Sequence, residues 1–331
     1  MLRRVGKLLA LTLAITGSSI AVAADKVRFE LDWLPGGDKS PVYVGIQQGF
    51  FADEGLEVSI SVSRGSTDAL TKLATNQADI GIADIAALMA ARAQDKVPVS
   101  AVFNIFNQAP HAFFTLSTSD IKSINDIASK RVATSPFTSS NAFLPLLLEA
   151  NGLPRDAVSL NRTDPGALGP MLITGNTDAI IAWVTNVALF QAQAASAGRE
   201  IRVIPWSEAG LELYSSSIVA SDRFLDSRPE VARRFLKAYR KSLEFTNANP
   251  EVAAADLHRM VPEVDPAVAA AQVTDTMKLV FNNVSEADGL GVMTPERVKQ
   301  TWVYVAEANE LELDSLDPES VINRSFMPES D

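Results

Sequence analysis

Cysteine is absent from the chain, and histidine occurs only twice, as His111 and His258. The lack of cysteine excludes a disulfide framework, a thiolate nucleophile, a cysteine zinc site and a lipidated N-terminal cysteine. A Ser-His-Asp triad or a histidine metal site would need one of two histidines that lie far apart and belong to no motif. We therefore predict no metal site and no bound cofactor. A surface or loop position is the simpler interpretation of either histidine.

Long apolar runs are also missing. The apolar run at residues 8–15 is too short to span a bilayer. It follows three basic residues within residues 3–7 and precedes Ala21-Val22-Ala23, which has the small-residue pattern of a cleavage site. Residues 1–24 are therefore predicted to be a cleaved signal peptide, and the mature protein is predicted to be periplasmic. A membrane-tethered N-terminus is the alternative interpretation.

Basic residues are outnumbered by acidic ones. The whole chain has 29 lysines and arginines against 40 aspartates and glutamates, and three of the basic residues lie in the predicted signal peptide. The mature chain thus has 26 basic and 40 acidic residues, a formal charge of −14. A surface of this charge repels nucleic acid and anionic lipid, so neither is expected as a partner.

The chain does contain a regular alternation of short apolar strands and helical segments. This alternation predicts parallel sheets with crossover helices, and a mature chain of about 307 residues exceeds what one compact core usually accommodates. Two lobes are therefore expected. The predicted strands are Val27–Trp33, Glu57–Val62, Ile80–Ala83, Val97–Phe106, Ala112–Ser117 and Arg131–Thr134.

Two segments of the sequence repeat each other. LATNQADIGIAD at 73–84 and LITGNTDAIIAW at 172–183 share five of twelve positions at a constant offset of 99. Each indicates the end of a helix, a turn and a short strand. The preferred interpretation is that the chain has two lobes built on one plan. The alternative is a coincidence between two ordinary helix-to-strand turns. Asp84 and Trp183 then occupy equivalent places beyond a strand, where ligands bind in open α/β sheets.

Trp33 also follows a strand, in the segment LDWLPGGDKSP at 31–41. Three strand ends would thus offer two indoles and a carboxylate to one crevice. Hydroxyls at two predicted helix starts, 65–67 and 138–140, suit a polar or anionic group, although ordinary N-caps use the same side chains. The candidate ligand-binding residues are Asp32, Trp33, Lys39, Ser66, Asp84, Asn104, Gln108, His111, Thr138, Ser139, Ser140, Trp183 and Asn186.

Several segments, taken in order, resemble the solute-binding proteins of ABC importers. The resemblance is to the nitrate, sulfonate and taurine type, including its members that bind thiamine pyrimidine precursors, and it covers nearly the whole mature chain. The segments are LDWLPGGDKSPVYVGIQQGFFADEGLEV at 31–58, NQADIGIAD at 76–84, IKSINDIASKRVATS at 121–135, GNTDAIIAWVTN at 175–186 and SIVASDRFLDSRPEVARRFLKAYRKSLEFTNANPE at 217–251.

This resemblance implies a type II periplasmic binding fold, in which two α/β lobes are joined by two hinge strands. The first lobe would comprise residues 25–108 and 214–331, and the second residues 109–213. It also implies a monomeric, non-enzymatic receptor that captures a small solute by lobe closure. The expected partners are that solute and a cognate ABC permease in the inner membrane.

The residues leave the identity of the ligand open. Lys39 suits an anion, whereas Asp32 and Asp84 favour amino or amidine groups, and the two indoles favour a flat ring. We predict an aminopyrimidine thiamine precursor or a similar aromatic heterocycle, with a small organic anion (sulfonate, taurine, nitrate or aromatic carboxylate) as the alternative. A pyrimidine-synthase-like enzyme is expected less, because that branch uses a cysteine-rich iron-binding motif. A periplasmic sensor or chaperone partner is a further alternative.

Overall fold

The computed structural model describes residues 23–209 and 213–327. Within these ranges, ten strands form two five-stranded sheets. The first sheet consists of β1 (Asp25–Leu31), β2 (Leu56–Val62), β3 (Ile80–Asp84), β4 (Val99–Asn104) and β10 (Ser216–Ser221). The second consists of β5 (His111–Leu116), β6 (Arg131–Thr134), β7 (Ser159–Arg162), β8 (Ala179–Trp183) and β9 (Ile201–Pro205).

The two sheets have equivalent strand orders, β2-β1-β3-β10-β4 and β7-β6-β8-β5-β9. In each sheet the fourth strand, β10 or β5, runs antiparallel to both neighbours. These are the first strands after the chain crosses from one sheet to the other. All residues of β3 and β8 are buried, as their nearly continuous apolar sequences indicate for strands covered on both faces.

Thirteen α-helices in the described ranges surround the sheets. Proline lies in the first turn of five of them, where its missing N–H leaves no hydrogen bond unmade. The helices are α1 (Ser40–Gln47), α2 (Phe50–Asp53), α3 (Ser66–Ala74), α4 (Ile85–Asp95), α5 (Ser140–Ala150), α6 (Leu168–Ile173), α7 (Val187–Ser196), α8 (Asp222–Ser227), α9 (Pro229–Ala248), α10 (Pro250–Met260), α11 (Pro266–Val280), α12 (Asn283–Asp288) and α13 (Pro295–Ala308).

The internal repeat corresponds to the same local structure in both sheets. In each copy a helix, α3 or α6, leads through a turn to a central strand, β3 or β8. The shared aspartate is bound in the same way by an arginine of the neighbouring strand. Arg28 donates its backbone N–H and its guanidinium to Asp79, and Arg131 does so to Asp178. The two lobes are therefore built on one local plan, as the repeat predicts.

The chain crosses between the sheets twice, at residues 105–110 and between Pro205 and Ser216, where residues 210–212 lie outside the described ranges. Each sheet with its helices forms one lobe. The predicted lobe boundaries, 108/109 and 213/214, fall within these two crossings, and their exact positions stay predictions.

Helix α13 contacts both crossings. Arg297 donates to the carbonyl oxygen of Asn107 in the first, and Thr301 Oγ1 accepts the backbone N–H of Tyr214 in the second at 3.2 Å. Val298 and Trp302 belong to an apolar cluster that includes side chains of α4 and α5. Because α4 belongs to the first lobe and α5 to the second, α13 joins the lobes on the hinge side.

Most of the predicted signal peptide, residues 1–22, lies outside the described residues. Among the residues that the structure describes, no helix is both long enough and apolar enough to span a bilayer.

Candidate functional site

A cavity lies between the lobes, at the edge where β1 and β8 end, and encloses about 320 Å³ of empty space, including space open to solvent. Both lobes contribute to its lining, and polar groups from turns and helix starts face apolar surface from the strand ends. The lining residues are Asp32, Trp33, Asp38, Gly65 and Ser66 from the first lobe and Thr138, Ala182, Trp183 and Asn186 from the second.

A buried cluster of charges adjoins this cavity. The ammonium of Lys39 lies 2.7 Å from Asp32 Oδ1 and 3.2 Å from Asp38 Oδ2, and Ser66 Oγ donates to Asp32 Oδ2 at 3.2 Å. Burial by itself lowers the pKa of Lys39, but the two carboxylates outweigh burial and raise that pKa above its usual value. Burial raises the pKa of Asp38, and Lys39 opposes this effect. One ammonium thus serves two carboxyl groups, so the cluster has no positive charge left for an anion.

The two cavity indoles each contact the opposite lobe. Trp183 of the second lobe is 8% exposed and packs in the apolar cluster of the first, with Phe106 at 6.0 Å between ring centroids. Its ring lies 5.4 Å from the Lys39 ammonium, and its buried Nε1 has no hydrogen-bond partner among the described residues. Trp33 of the first lobe is half-buried and packs against the apolar cluster of the second lobe.

Asp84 lies behind the cavity and is fully buried. One carboxylate oxygen accepts the N–H of Ala86 at 2.9 Å, which caps α4. The other accepts the hydroxyls of Ser139, at 2.7 Å, and Ser215, at 3.0 Å. Burial raises the pKa of Asp84 to about 6, and these hydrogen bonds limit the rise. Since Ser139 belongs to the second lobe, Asp84 connects the lobes rather than lining the cavity.

His111 is likewise buried behind the cavity. Its Nδ1 lies 2.9 Å from Ser140 Oγ, and its Nε2 lies 3.8 Å from Asp84 Oδ2. Burial lowers the pKa of His111 to about 3, so the imidazole is neutral at physiological pH. A surface or loop position, the interpretation from sequence, is wrong for His111, which is the first residue of β5 and is buried between the lobes.

The structure separates the candidate ligand-binding residues into three groups, and their roles in binding stay predictions. Those that line the cavity are Asp32, Trp33, Ser66, Thr138, Trp183 and Asn186. Those buried directly behind it are Lys39, Asp84, His111, Ser139 and Ser140. Asn104, at the end of β4, bonds to Asn107 near the first crossing, and Gln108 is exposed.

Sequence reasoning missed three lining residues, Asp38, Gly65 and Ala182. Asp38 stands beside Lys39 in the sequence, in the same segment as Asp32, and the presence of two acids near one lysine could have indicated it. Gly65 has φ +156°, and a Cβ at this position would lie 2.2 Å from the carbonyl oxygen of Phe137 in the other lobe. Such close approach of two backbones requires glycine, but it depends on tertiary structure.

Further direct contacts hold the lobes together around the cavity. Thr67 N–H donates to Phe137 O at 3.2 Å, and Gln272 Nε2 donates to Thr185 O at 3.0 Å. Thr185 Oγ1 also lies 3.5 Å from Asp38 Oδ2. The described residues include no cluster of three or more histidine, aspartate or glutamate side chains suited to a metal ion. The site is therefore a cavity enclosed by two lobes in direct contact.

The comparisons with known proteins agree with this architecture. The model of the NMT1/THI5-like family matches residues 37–253. The formylaminopyrimidine-binding protein of Halalkalibacterium halodurans is 25% identical over 233 residues, covering 70% of this chain and 69% of its own. The riboflavin-binding protein RibY of Chloroflexus aurantiacus is 23% identical over 314 residues, covering 92% of this chain and 86% of its own.

Enzymes also occur among the relatives. The 4-amino-5-hydroxymethyl-2-methylpyrimidine phosphate synthase THI13 of Saccharomyces cerevisiae is 23% identical over 239 residues, 69% of each chain. Among solved structures, the periplasmic aliphatic sulphonate binding protein SsuA of Escherichia coli superposes with a TM-score of 0.70 at 15% identity, covering 90% of this chain and 97% of its own. At this identity the likeness concerns the fold alone. The predicted fold class and the resemblance to solute-binding proteins are confirmed.

Proposed function

We propose that this chain, which belongs to the NMT1/THI5-like family, is the substrate-binding component of an ABC importer. It captures a small amino-substituted aromatic heterocycle, with an aminopyrimidine thiamine precursor as the specific ligand, and delivers it to a permease. It acts as a monomer in the periplasm, after removal of the predicted signal peptide.

The charge of the site carries this proposal. Lys39 adjoins the cavity, and both Asp32 and Asp38 bind it. An anion would meet carboxyl groups rather than a free ammonium, whereas an exocyclic amine or amidine N–H finds acceptors in the same oxygens. A ligand with hydrogen-bond donors is therefore favoured over sulfonate, taurine or nitrate.

The walls of the cavity favour a flat ring. Trp33 and Trp183 supply aromatic surface, and aromatic stacking contributes about 0.5–1.5 kcal/mol beyond buried area. Trp183 Nε1 has no hydrogen-bond partner among the described residues, so a ring nitrogen that reaches it would gain a donor. Donors and acceptors on one ring are the pattern of an aminopyrimidine.

Two alternatives remain as separate hypotheses. The first is binding of a small organic anion, which the sequence left open. The second is a pyrimidine-synthase-like enzyme, which the relationship to THI13 supports. The charge balance at Lys39 disfavours the first. The second is disfavoured because the chain lacks the cysteines of that branch, and because His111 is sequestered behind the cavity without access to a ligand.

Calorimetric titration tests the proposed ligand class. The panel is 4-amino-5-hydroxymethyl-2-methylpyrimidine, taurine and nitrate, against the wild type, Asp38→Asn and the control Asp156→Asn, whose side chain is exposed in the second lobe. We expect a Kd of about 1 µM or lower for the aminopyrimidine and no binding of the anions. Asp38→Asn should weaken aminopyrimidine binding by about tenfold, the effect of losing one charged acceptor, and Asp156→Asn should not change it. Tight binding of taurine that is unaffected by Asp38→Asn would contradict the proposed heterocycle and support the organic-anion alternative.

A further inference from the structure

The buried charges beside the cavity do not cancel. Two carboxylates, Asp32 and Asp38, share the single ammonium of Lys39, at 2.7 Å and 3.2 Å. All three side chains are almost fully buried, and with all three ionised the cluster has one net negative charge. Burial of a charge without a counter-charge costs free energy. The closed site therefore favours the arrival of one positive charge.

The titratable groups that face this cluster do not supply that charge. Tyr43 on α1 and Tyr239 on α9 are neutral phenols, because burial raises the pKa of each, that of Tyr43 to about 12. Asp84 adds negative charge when it is ionised. His111 is neutral, because burial lowers its pKa to about 3. The segment of the second lobe that covers the cluster, residues 183–186, has no ionisable side chain.

Asp38 is the less well paired of the two carboxylates. Asp32 has Lys39 on one oxygen and accepts the hydroxyl of Ser66 on the other. Asp38 has the same ammonium at a longer distance and, from the second lobe, only Thr185 Oγ1 at 3.5 Å. In keeping with this, burial raises the pKa of Asp38. Asp38 also lines the cavity, so a positive group on a ligand can approach it.

The second lobe completes the burial of the cluster. The ring of Trp183 lies 5.4 Å from the Lys39 ammonium, and Thr185 lies beside Asp38. When the lobes separate, these two residues move away and water can stabilise the ionised carboxylate of Asp38. A balancing positive charge is therefore needed in the closed arrangement, which is the one that encloses a ligand.

We propose that Asp38 makes the site selective for basic heterocycles, which are bound together with one proton taken from solvent. This inference rests on the proposed function and specifies its substrate class and its dependence on pH. The proton lies between a ring nitrogen of the ligand and the carboxylate of Asp38, in a charge-assisted hydrogen bond. A ring of the same shape with weakly basic nitrogens leaves the negative charge unbalanced and binds less tightly.

A matched pair of ligands tests this selectivity. 4-Amino-2-methylpyrimidine and 4-amino-2-chloropyrimidine have nearly the same size, but chlorine withdraws electrons and makes the ring nitrogens much weaker bases. We expect the wild type at pH 7.5 to bind the methyl compound about tenfold more tightly than the chloro compound. In Asp38→Asn the difference should fall to about twofold or less. Asp156→Asn, at an exposed position in the second lobe, should keep the wild-type preference.

Calorimetry in phosphate and in Tris, two buffers with different ionisation enthalpies, counts the protons. At pH 7.5 we expect the wild type to take up about one proton for each 4-amino-2-methylpyrimidine bound, and Asp38→Asn to take up none. Uptake of one proton also means that Kd rises about tenfold from pH 7 to pH 8. Asp84 is mostly ionised at this pH, because its pKa is about 6. Asp84→Asn should therefore take up the same number of protons as the wild type.

The possible results separate this inference from the proposed function. Equal affinity of the wild type for the two rings, without proton uptake, would overturn the inference and leave the proposed function standing, with a neutral ring as the ligand. Uptake that persists unchanged in Asp38→Asn would overturn the role given to Asp38. Absence of binding by both compounds would overturn the proposed function and this inference with it.

Discussion

The two tryptophans of the cavity differ in burial, and their replacement should separate binding from stability. Trp33→Ala removes a half-buried ring that packs against the other lobe. We expect ligand affinity to fall about tenfold, the sum of stacking and lost buried area, with little change in the free energy of unfolding. Trp183→Ala removes a ring that is 8% exposed, so it should also lower the free energy of unfolding by about 3–5 kcal/mol.

Calorimetry and urea denaturation of both variants measure these two quantities. A loss of stability in Trp33→Ala as large as that in Trp183→Ala would contradict the assigned difference in burial. Unchanged affinity in Trp33→Ala would contradict its place in the ligand site.

Asp84 should make stability depend on pH in an unusual direction. Burial raises the pKa of its carboxyl to about 6 from the ordinary value of 3.8. Between pH 4 and 6 the unfolded chain therefore loses this proton first, and the contribution of Asp84 to the free energy of unfolding decreases as pH rises. The decrease is on the order of 3 kcal/mol, at about 1.4 kcal/mol for each pKa unit.

Asp84→Asn removes this titration. Urea denaturation at pH 4, 5, 6 and 7 should therefore give a wild-type free energy of unfolding that declines relative to that of the variant, and the relative decline should end near pH 6. Parallel profiles for the two proteins would show that the carboxyl is not held in the buried site that the structure gives it.

For individual residues, the sequence predicted which side chains lie close together. It did not predict which of them line the cavity and which lie behind it. Residues after strand ends, such as Trp33, Trp183 and Asp84, converge as the alternation of strands and helices indicates. The sequence could not distinguish a wall of the cavity from the layer behind it, because that depends on which rotamer points inward.

Among the elements, α13 should be sensitive to the loss of one hydroxyl. Thr301 Oγ1 accepts the N–H of Tyr214 and donates to Arg297 O at 2.8 Å. Thr301→Val preserves the shape of the side chain but leaves a buried N–H unpaired, which should lower the free energy of unfolding by about 1–3 kcal/mol.

Thr274→Val on α11 is the matched control. Thr274 makes the same bond to the carbonyl four residues earlier, to Ala270 O at 3.0 Å, but its side chain is exposed. We expect a change within about 0.5 kcal/mol. Equal effects of the two substitutions in urea denaturation would mean that the second crossing does not depend on α13.

The six strands predicted from sequence are all present. The predicted strands at 27–33, 57–62, 80–83, 97–106, 112–117 and 131–134 correspond to β1 through β6. The edge strand β2 is largely exposed, and its alternation of polar and apolar residues still identified it. The edge strand β7, with the sequence SLNR, was not predicted. It is largely exposed and pairs on one side only, with β6, so its sequence has no apolar periodicity.

On the scale of the whole molecule, Gly65 should control closure of the lobes. A Cβ at this position would lie 2.2 Å from Phe137 O across the interface, so Gly65→Ala must hold the lobes apart. We expect the wild type to contract on binding 4-amino-5-hydroxymethyl-2-methylpyrimidine, as measured by small-angle scattering. The variant should show no contraction, and its affinity should fall at least tenfold.

Gly49→Ala controls for backbone strain. Gly49 has φ +77°, so alanine is strained there too, but a Cβ would meet no atom within 4 Å. This variant should contract and bind as the wild type does. Normal contraction of Gly65→Ala would contradict this prediction. It would show that the lobes can close even when residues 65 and 137 are farther apart than they are in the wild type.

The two-lobe plan was accessible from sequence for two reasons. The repeat at 73–84 and 172–183 indicated equivalent lobes, and the resemblance to solute-binding proteins implied the topology. The strand order itself was not predictable from the residues, since the insertion of β10 between β3 and β4 depends on a chain crossing more than 100 residues after β4.

The direct contacts between the lobes, such as Asp84 with Ser139 and Gln272 with Thr185, involve no solute atom. These contacts lower the free energy of the closed arrangement even when no ligand is bound. A fraction of the empty molecules is therefore closed at any time. Under the proposed function, these molecules compete with loaded ones for a permease that recognises the closed shape. In proteoliposomes with fixed solute, the rate of uptake should therefore rise and then decline as the binding protein is added in excess. The optimum for import is then set by the abundance of the protein as well as by its affinity.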